Sequence, residues 1–508
     1  MNLVRSQSGQ RLSILAALGG TLVAGCANLG VPSGPYADAP IGQQLERPDV
    51  INRCGRVLWE ADARVDAAGV RDGQAPRVAG YPYLRVDRFA VALARTSPAV
   101  NREAWIDYAS ALDTEARRAE WANLGDRLDA AALEQCRRIL LADTRANPVP
   151  GAVDPLVAAQ VPDDYSTTLR VLGLYPLTSL AFAAGISSWH RDVREVFAVP
   201  IEKLPVRGPR TRYVPAAPDA MAEPAGWMAP GIARALGVPP LAVDEAWRLL
   251  HENAPVLAVE TASADDRVGA LVWREGGGGL RVGVDVQAPV AYARLAYALI
   301  SGRVHLQLVY SFWFPARPPT SPFDLLAGPL DGLIWRVTLD GDFRPLVYDT
   351  IHPCGCYHLF FPTDRARARA QPPPEQGRFD EGLFAPQSAP VPGAGERMQL
   401  FIEARTHYVQ RLVATADTSP ISGETRRFGL VSEDGLRALP LPAGGTRSVY
   451  GENGLIAVSE RGERFYFWPM GIESAGQMRQ WGRHATAFVG RRHFDGPLLL
   501  DRYFEFPP

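Results

Sequence analysis

Residues 303–314 read Arg-Val-His-Leu-Gln-Leu-Val-Tyr-Ser-Phe-Trp-Phe, and large apolar side chains occupy every second position from Val304 to Phe314. Successive side chains of a strand point to opposite faces of a sheet, so this period of two predicts a half-buried β-strand. Ser301-Gly302 reads as a turn before it. The preceding segment 289–300 is then either the hairpin partner of this strand or a helix.

The same period continues through the C-terminal half, where short segments such as 332–339, 345–351, 398–404 and 464–468 also read as strands. Segments 102–118 and 127–143 of the N-terminal half instead carry apolar residues at helical spacing. We therefore predict an α+β fold, with a mainly helical domain over 49–255 and a β-rich domain over 256–508 built on an antiparallel sheet or sandwich. A Pro-rich loop at 362–397 is either a lid or a tolerated insertion.

The bulk composition excludes several classes of protein. With 47% hydrophobic and 21% charged residues, the 508-residue chain is neither disordered nor a polytopic membrane protein. A net charge of -2 gives no sign of a nucleic-acid partner. Lys203 is the only lysine and lies outside any Gly-Lys loop, so we expect no nucleotide cofactor bound through a P-loop.

The N-terminus predicts export and lipid attachment. Arg5 and Arg11 precede an apolar run that closes on Val23-Ala24-Gly25-Cys26, the order of basic, apolar and small residues found in a secretory signal peptide. The last four residues resemble the lipobox of bacterial lipoproteins. That resemblance implies a signal peptide over 1–25, lipidation of Cys26, and a location in the cell envelope, at the outer membrane facing the periplasm. Residues 26–48 then read as a flexible tether.

The densest reactive chemistry lies in Ile351-His-Pro-Cys-Gly-Cys-Tyr-His358. Residues two apart on a regular strand are too widely spaced for four of them to bind one tetrahedral ion, but Pro353 and Gly355 permit a turn that would let them converge. We therefore predict a metal centre, such as zinc or copper, with His352, Cys354, Cys356 and His358 as candidate ligands. Two alternatives stay open: a Cys354–Cys356 redox dithiol, or ordinary packing at the end of a strand.

Other candidates are fewer. Asp331 and Asp349 flank the central strands and are candidate acids or bases, or partners of the imidazoles. Cys54 and Cys136 are candidates for a disulfide, as expected in an oxidising compartment. No Gly-x-Ser-x-Gly or His-Glu-x-x-His motif occurs.

These features leave the reaction and substrate open, and they do not decide whether the protein is an enzyme. We expect either a lipid-anchored envelope protein with a metal-dependent hydrolase or oxidoreductase centre, or a non-enzymatic lipoprotein that binds a protein or glycan partner. A thiol redox protein is the third possibility.

Overall fold

The computed structural model describes residues 49–96, 100–125, 129–146, 153–217, 222–276, 278–370, 380–416 and 423–507. The predicted signal peptide, the lipobox with Cys26 and the predicted tether lie outside these residues. None of the helices within the described ranges combines the length and apolar character needed to cross a membrane.

Most of the helical residues precede the large sheet in the chain. The helices are Asp49–Ala67 (α1), Arg88–Thr96 (α2), Arg102–Leu124 (α3), Ala130–Ala146 (α4), Pro155–Ala158 (α5), Thr167–Leu172 (α6), Tyr175–Ala198 (α7), Pro230–Ala235 (α8), Val243–Glu252 (α9), Arg464–Phe467 (α10) and Leu499–Tyr503 (α11). Local sequence sets their ends: the side chain of Asn101 accepts a hydrogen bond from the backbone N–H of Ala104 at the start of α3, and Gly125 ends that helix in the left-handed conformation.

Ten strands form one sheet, and short two-stranded ladders accompany it. The strands are Arg77–Val78 (β1), Tyr81–Arg85 (β2), Arg210–Pro215 (β3), Val256–Glu260 (β4), Ala270–Gly276 (β5), Gly279–Asp285 (β6), Val290–Ile300 (β7), Arg303–Arg317 (β8), Gly328–Leu339 (β9), Pro345–Ile351 (β10), Leu359–Pro362 (β11), Arg367–Ala368 (β12), Glu396–Ile402 (β13), Val409–Ala416 (β14), Thr425–Ser432 (β15), Leu439–Pro440 (β16), Thr446–Arg447 (β17) and Phe504–Glu505 (β18). The large sheet has the order β11-β10-β9-β8-β7-β15-β3-β4-β13-β14.

The strand predicted at 303–314 is the long central strand β8, and 290–300 is its antiparallel hairpin partner rather than a helix. The prediction of a purely antiparallel sheet or sandwich was wrong. β15 inserts between β7 and β3 and runs parallel to both, and β13 runs parallel to β4. The sheet is mixed because these late strands return to pair with strands formed much earlier in the chain.

The two faces of β8 pack against different parts of the chain. Leu308, Tyr310 and Phe312 share a core with the N-terminal helices, whereas Val309 packs with Trp481 and Phe494 of the C-terminal segment. Both faces of the central sheet are therefore covered. β3 precedes residue 255 and β4 follows it, and both belong to the large sheet. The domain boundary predicted near residue 255 therefore falls within one sheet and one core.

A covalent link joins two helices of the N-terminal half. Cys54 of α1 and Cys136 of α4 form a disulfide, with their Cα atoms 4.7 Å apart and a sequence separation of 82.

Candidate functional site

The His/Cys motif forms a tight turn directly after β10. The backbone N–H of His352 donates to the carbonyl of Cys356 at 3.0 Å, and that of Gly355 donates to the carbonyl of His352 at 2.8 Å. Gly355 has a φ of 91°, and a Cβ atom there would lie 2.3 Å from the carbonyl oxygen of Ala485. Only glycine fits this close approach without displacing backbone. The turn expected from Pro353 and Gly355 is therefore present.

One side of the turn joins a buried chain of imidazoles and carboxylates. His352 Nδ1 lies 3.2 Å from one oxygen of Asp331, and His407 Nδ1 lies 2.8 Å from the other. His407 Nε2 is 3.4 Å from Asp266, and its ring stacks on Phe314 with a centroid separation of 3.9 Å. We call His352, Asp331, His407 and Asp266 the aspartate–histidine chain.

Burial and charge divide the protonation states along this chain. Burial lowers the pKa of His352 despite the neighbouring Asp331. Burial also acts against the charged form of His407, but its hydrogen bonds to Asp266 and Asp331 outweigh it and raise the pKa. Burial opposes ionisation of Asp331, yet His352 and His407 hold the pKa of that carboxyl well below its usual range. The favoured arrangement is a cationic His407 between two carboxylates, with His352 neutral.

His358 lies on a second, separate pair. Its Nε2 is 2.8 Å from Asp349, and the same carboxylate accepts two hydrogen bonds from Arg336 at 2.9 and 2.5 Å. Burial lowers the pKa of His358 to about 3 although Asp349 acts in the opposite direction. Because Nε2 faces the carboxylate, Nδ1 is left as an acceptor, and it has no hydrogen-bond partner among the described residues.

Cys354 and Cys356 are buried and unbridged. A hydrogen bond between the two thiols, together with burial, raises the pKa of Cys356 well above its usual value. The backbone N–H of Cys356 lies 3.4 Å from the sulfur of Cys354. The two thiols therefore lie close together, and the environment of Cys356 favours its protonated form.

The four predicted metal ligands do not converge on one point. His352 and His358 are engaged with different aspartates, and within the described ranges no group of three or more His, Cys, Asp or Glu side chains is arranged to hold a metal ion. The two candidate aspartates are the partners of these imidazoles, as one of their predicted roles required. The side chains of the turn point in different directions. The alternation of histidine and cysteine in the sequence does not distinguish this arrangement from convergence on one metal ion.

A partly open cavity of 480 Å³ adjoins the turn, and we call it the α7 cavity. Its volume falls within the roughly 300–1,000 Å³ typical of ligand pockets. Helix α7 supplies one wall through Phe182, Ile186 and Trp189. Phe467 and Phe488 continue this apolar lining, and their rings stack with centroids 4.4 Å apart.

The opposite wall of the α7 cavity is polar. It contains Cys356, Tyr357, His358, Tyr408 and Glu463. The rings of Tyr357 and Tyr408 contact each other with centroids 4.6 Å apart. Tyr357 has a φ of 62°, and His407, just before Tyr408, has a φ of 53°. Tyr357 therefore reaches this wall from a strained backbone position, and Tyr408 follows directly after another.

A buried cation lies next to the two tyrosines. Arg317 at the end of β8 donates to the Tyr408 hydroxyl at 3.2 Å, and its guanidinium lies 5.1 Å from the Tyr408 ring centroid. Among the described residues Arg317 makes no salt bridge with a carboxylate within 4.0 Å. Burial raises the pKa of Glu463 to about 7, with Arg317 and Arg461 acting in the opposite direction.

The Pro-rich loop contributes to this region. Phe384 is buried, and its ring stacks on His190 of α7 with centroids 3.9 Å apart. Glu381 lines the α7 cavity and pairs with Arg492 at 2.9 Å. The described part of the loop, 380–395, thus packs against the helix that forms the cavity wall.

Sequence reasoning identified the turn but missed most of the cavity. Asp266, Arg317, Tyr408 and Glu463 come from four distant segments, and no local pattern links them. The aromatic residues that follow Glu463 led to the prediction of a strand at 464–468. This segment instead forms helix α10.

The comparisons with known proteins add no relative. No protein-family model matches the chain, and no curated protein and no solved structure is significantly similar to it.

Proposed function

We propose that this protein is a lipid-anchored cell-envelope protein that binds an amphiphilic small molecule in the α7 cavity. The observation that supports this most directly is the division of the cavity into an apolar wall, centred on Phe182, Ile186 and Trp189, and a polar wall of tyrosine, histidine and glutamate. Ligand pockets commonly combine a largely apolar lining with a few polar groups that fix orientation.

The polar wall favours a headgroup with both acceptor and donor atoms. The hydroxyls of Tyr357 and Tyr408 can donate to an ester, carboxyl or phosphate oxygen, and the Arg317 cation beside Tyr408 strengthens that donor. Glu463 in the same wall offers carboxyl oxygens that can accept from a ligand hydroxyl. The apolar tail of such a ligand would lie along α7.

Binding fits the geometry better than hydrolysis does. A nucleophile needs a base within hydrogen-bond reach, and His358 Nδ1 has no such partner among the described residues. The raised pKa of Cys356 also keeps this thiol protonated, which makes it a poor nucleophile.

Blocking the cavity tests the proposal. Ile186→Trp should fill the space beside Trp189 and lower the affinity for a fluorescent fatty-acyl probe at least tenfold. Val196→Trp, on an exposed position of the same helix outside the cavity lining, should leave that affinity unchanged. Tyr408→Phe removes one hydrogen bond worth about 1 kcal/mol, so we expect a loss of roughly fivefold. Equal binding by the wild type and Ile186→Trp would refute the site.

The anchor has its own test. Cys26→Ser should leave the protein soluble or unprocessed, because a polar tether has no affinity for a bilayer. Unchanged membrane fractionation of this variant would rule out lipid attachment at Cys26.

A second candidate function is thiol exchange. It is favoured by the closeness of Cys354 and Cys356 in the turn and by the position of Cys356 in the cavity wall, and the raised pKa of Cys356 makes it slow near neutral pH. In this reaction the Cys354 and Cys356 thiols would become a disulfide while a disulfide of a partner protein becomes two thiols. Loss of the two thiols from this protein, titrated after it has been separated from the oxidised dithiol protein, is the expected result. Unchanged titration would exclude it.

The zinc or copper centre remains a prediction from the sequence. Elemental analysis of protein purified without chelator tests it. If the centre exists, His352→Ala and Cys354→Ser should both lower the bound metal, because thiolate and imidazole ligands are needed together.

A further inference from the structure

A large apolar surface surrounds the start of α7. Eight large side chains are exposed there, with exposed fractions between 39% for Trp468 and 69% for Leu177. We call them the apolar face: Val171, Leu172, Leu174, Leu177, Leu180, Phe465, Tyr466 and Trp468. Soluble surfaces rarely concentrate so many large apolar groups, and such patches mark protein or membrane contacts.

These side chains come from elements that pack together. Gly173, between α6 and α7, approaches Pro469 so closely that a Cβ atom at Gly173 would lie 2.5 Å from the proline ring. The backbone N–H of Ser166 donates to the carbonyl of Gly471 at 2.7 Å. Phe182 of α7 contacts Phe467 of α10 with ring centroids 5.4 Å apart. The apolar face is thus one connected region.

Charge is distributed along α7 as in an interfacial helix. The segment 171–189 contains no Asp, Glu, Lys or Arg, and the charged residues of α7 begin only at Arg191. Of the whole helix, only Ser179 and Phe197 are buried. The uncharged half therefore faces outward without a covering element among the described residues, and the charged half follows it.

We propose that the apolar face inserts into the membrane leaflet that carries the lipid anchor, and that membrane lipid is the amphiphile that enters the α7 cavity. Both halves of this inference rest on the proposed function, the first on the lipid anchor and the second on the α7 cavity. Twenty-two residues separate Cys26 from Asp49, and they span at most about 75 Å when extended. A lipid at Cys26 would hold the body within that distance of a bilayer.

The composition of the face also suits a bilayer more than a protein partner. Tyr466 and Trp468 carry the amphipathic rings that concentrate at the membrane–water interface, and the leucines of α7 would reach the acyl region. The inner side of the same helix lines the cavity through Phe182, Ile186 and Trp189. A lipid could therefore pass from the leaflet to the cavity along α7 without crossing water.

A depth measurement on the full lipidated protein tests the inference. Leu177→Cys and Phe465→Cys, each labelled with an environment-sensitive fluorophore, are reconstituted on phosphatidylethanolamine and phosphatidylglycerol vesicles. Both labels should shift their emission to shorter wavelength and be quenched by nitroxide lipids. Asp342→Cys is the control, because Asp342 is exposed in the turn between β9 and β10 and is not part of the apolar face. Its label should report water.

The remaining outcomes are decisive. A label at Leu177 that reports water while the protein stays on the vesicles overturns the membrane contact. A label that reports an apolar environment even in the absence of vesicles indicates a second copy on the face, and it also overturns the inference. Protected labels combined with unchanged probe affinity in Ile186→Trp would refute the cavity function and leave the membrane contact standing.

Discussion

One partly buried carboxyl group, that of Glu115, contributes to the pH dependence of the free energy of unfolding. Glu115 of α3 has a side chain that is 24% exposed and lies 3.9 Å from Arg437. Burial, and next the nearby Asp434, raise the pKa of Glu115 to about 8. The folded protein therefore retains a proton that the unfolded chain releases above pH ~4.5.

This proton links folding to pH. The contribution of Glu115 to stability is fully present below pH ~4.5 and is lost as the pH rises through about 8, where the folded carboxyl ionises. We expect Glu115→Gln to be more stable than the wild type at pH 8 by up to about 4 kcal/mol, and to differ little at pH 4.5. Urea denaturation at the two pH values measures this, with the exposed Glu275→Gln as control. An equal difference at both pH values would contradict the argument.

The aspartate–histidine chain makes a second residue-scale prediction. Each oxygen of Asp331 faces a different imidazole, so Asp331→Asn replaces one acceptor with a donor and removes the charge beside His407. We expect a loss of about 2–4 kcal/mol in the free energy of unfolding. Asp342→Asn, in an exposed turn, should change it by less than about 0.5 kcal/mol. Thermal unfolding of both variants provides the comparison, and equal stabilities would show that the chain is not structurally important.

At the scale of elements, the turn after β10 depends on one glycine. In Gly355→Ala the new Cβ atom would meet the backbone oxygen of Ala485, which no side-chain rotation can relieve, at a φ of 91°. We expect a loss of more than about 2 kcal/mol. Gly341→Ala, with no atom within 4 Å of its Cβ position, is the matched control and should be nearly neutral. If both variants unfold alike, the close approach does not constrain the turn.

Elements with a regular apolar period could be predicted from the sequence, and the others could not. The prediction at 303–314 was confirmed as part of Arg303–Arg317 because its alternation matches packing on two different cores. Segment 464–468 was wrongly predicted as a strand: Phe465 and Tyr466 are exposed, so their spacing carries no information about a buried face. The parallel position of β15 was missed because pairing between distant strands leaves no local signal.

The candidate site divides in the same way. The turn at 352–358 could be predicted because proline, glycine, cysteine and histidine occur together. Asp331 and Asp349 were among its predicted partners, but Asp266 could not be predicted because it reaches His407 only through the tertiary fold. The metal prediction requires that four reactive side chains of one short segment bind the same metal ion. In the described structure the two histidines face different carboxylates, and the metal centre stays a prediction.

At the scale of the whole molecule, the two halves of the chain are bound into one unit by the shared sheet, and the N-terminal helices are further tied by the Cys54–Cys136 disulfide. A link across 82 residues restricts the unfolded chain, and the loop-entropy relation gives a stabilisation of about 4 kcal/mol. We expect the double variant Cys54→Ala, Cys136→Ala to lose stability of this order in denaturant titrations without reductant. Adding reductant should destabilise the wild type but leave the variant unchanged.

The number of reactive thiols distinguishes the Cys54–Cys136 disulfide from other pairings of the five cysteines. With Cys26 lipidated and Cys54 bridged to Cys136, the unfolded protein should show two reactive thiols before reduction, Cys354 and Cys356, and four after it. Four thiols before reduction would show that the helices are not bridged. If no reactive thiol is found before reduction, Cys354 and Cys356 form a second disulfide in the turn. The stability lost on reduction then belongs to both disulfides. Comparison with Cys354→Ser, which lacks the second one, separates the two contributions.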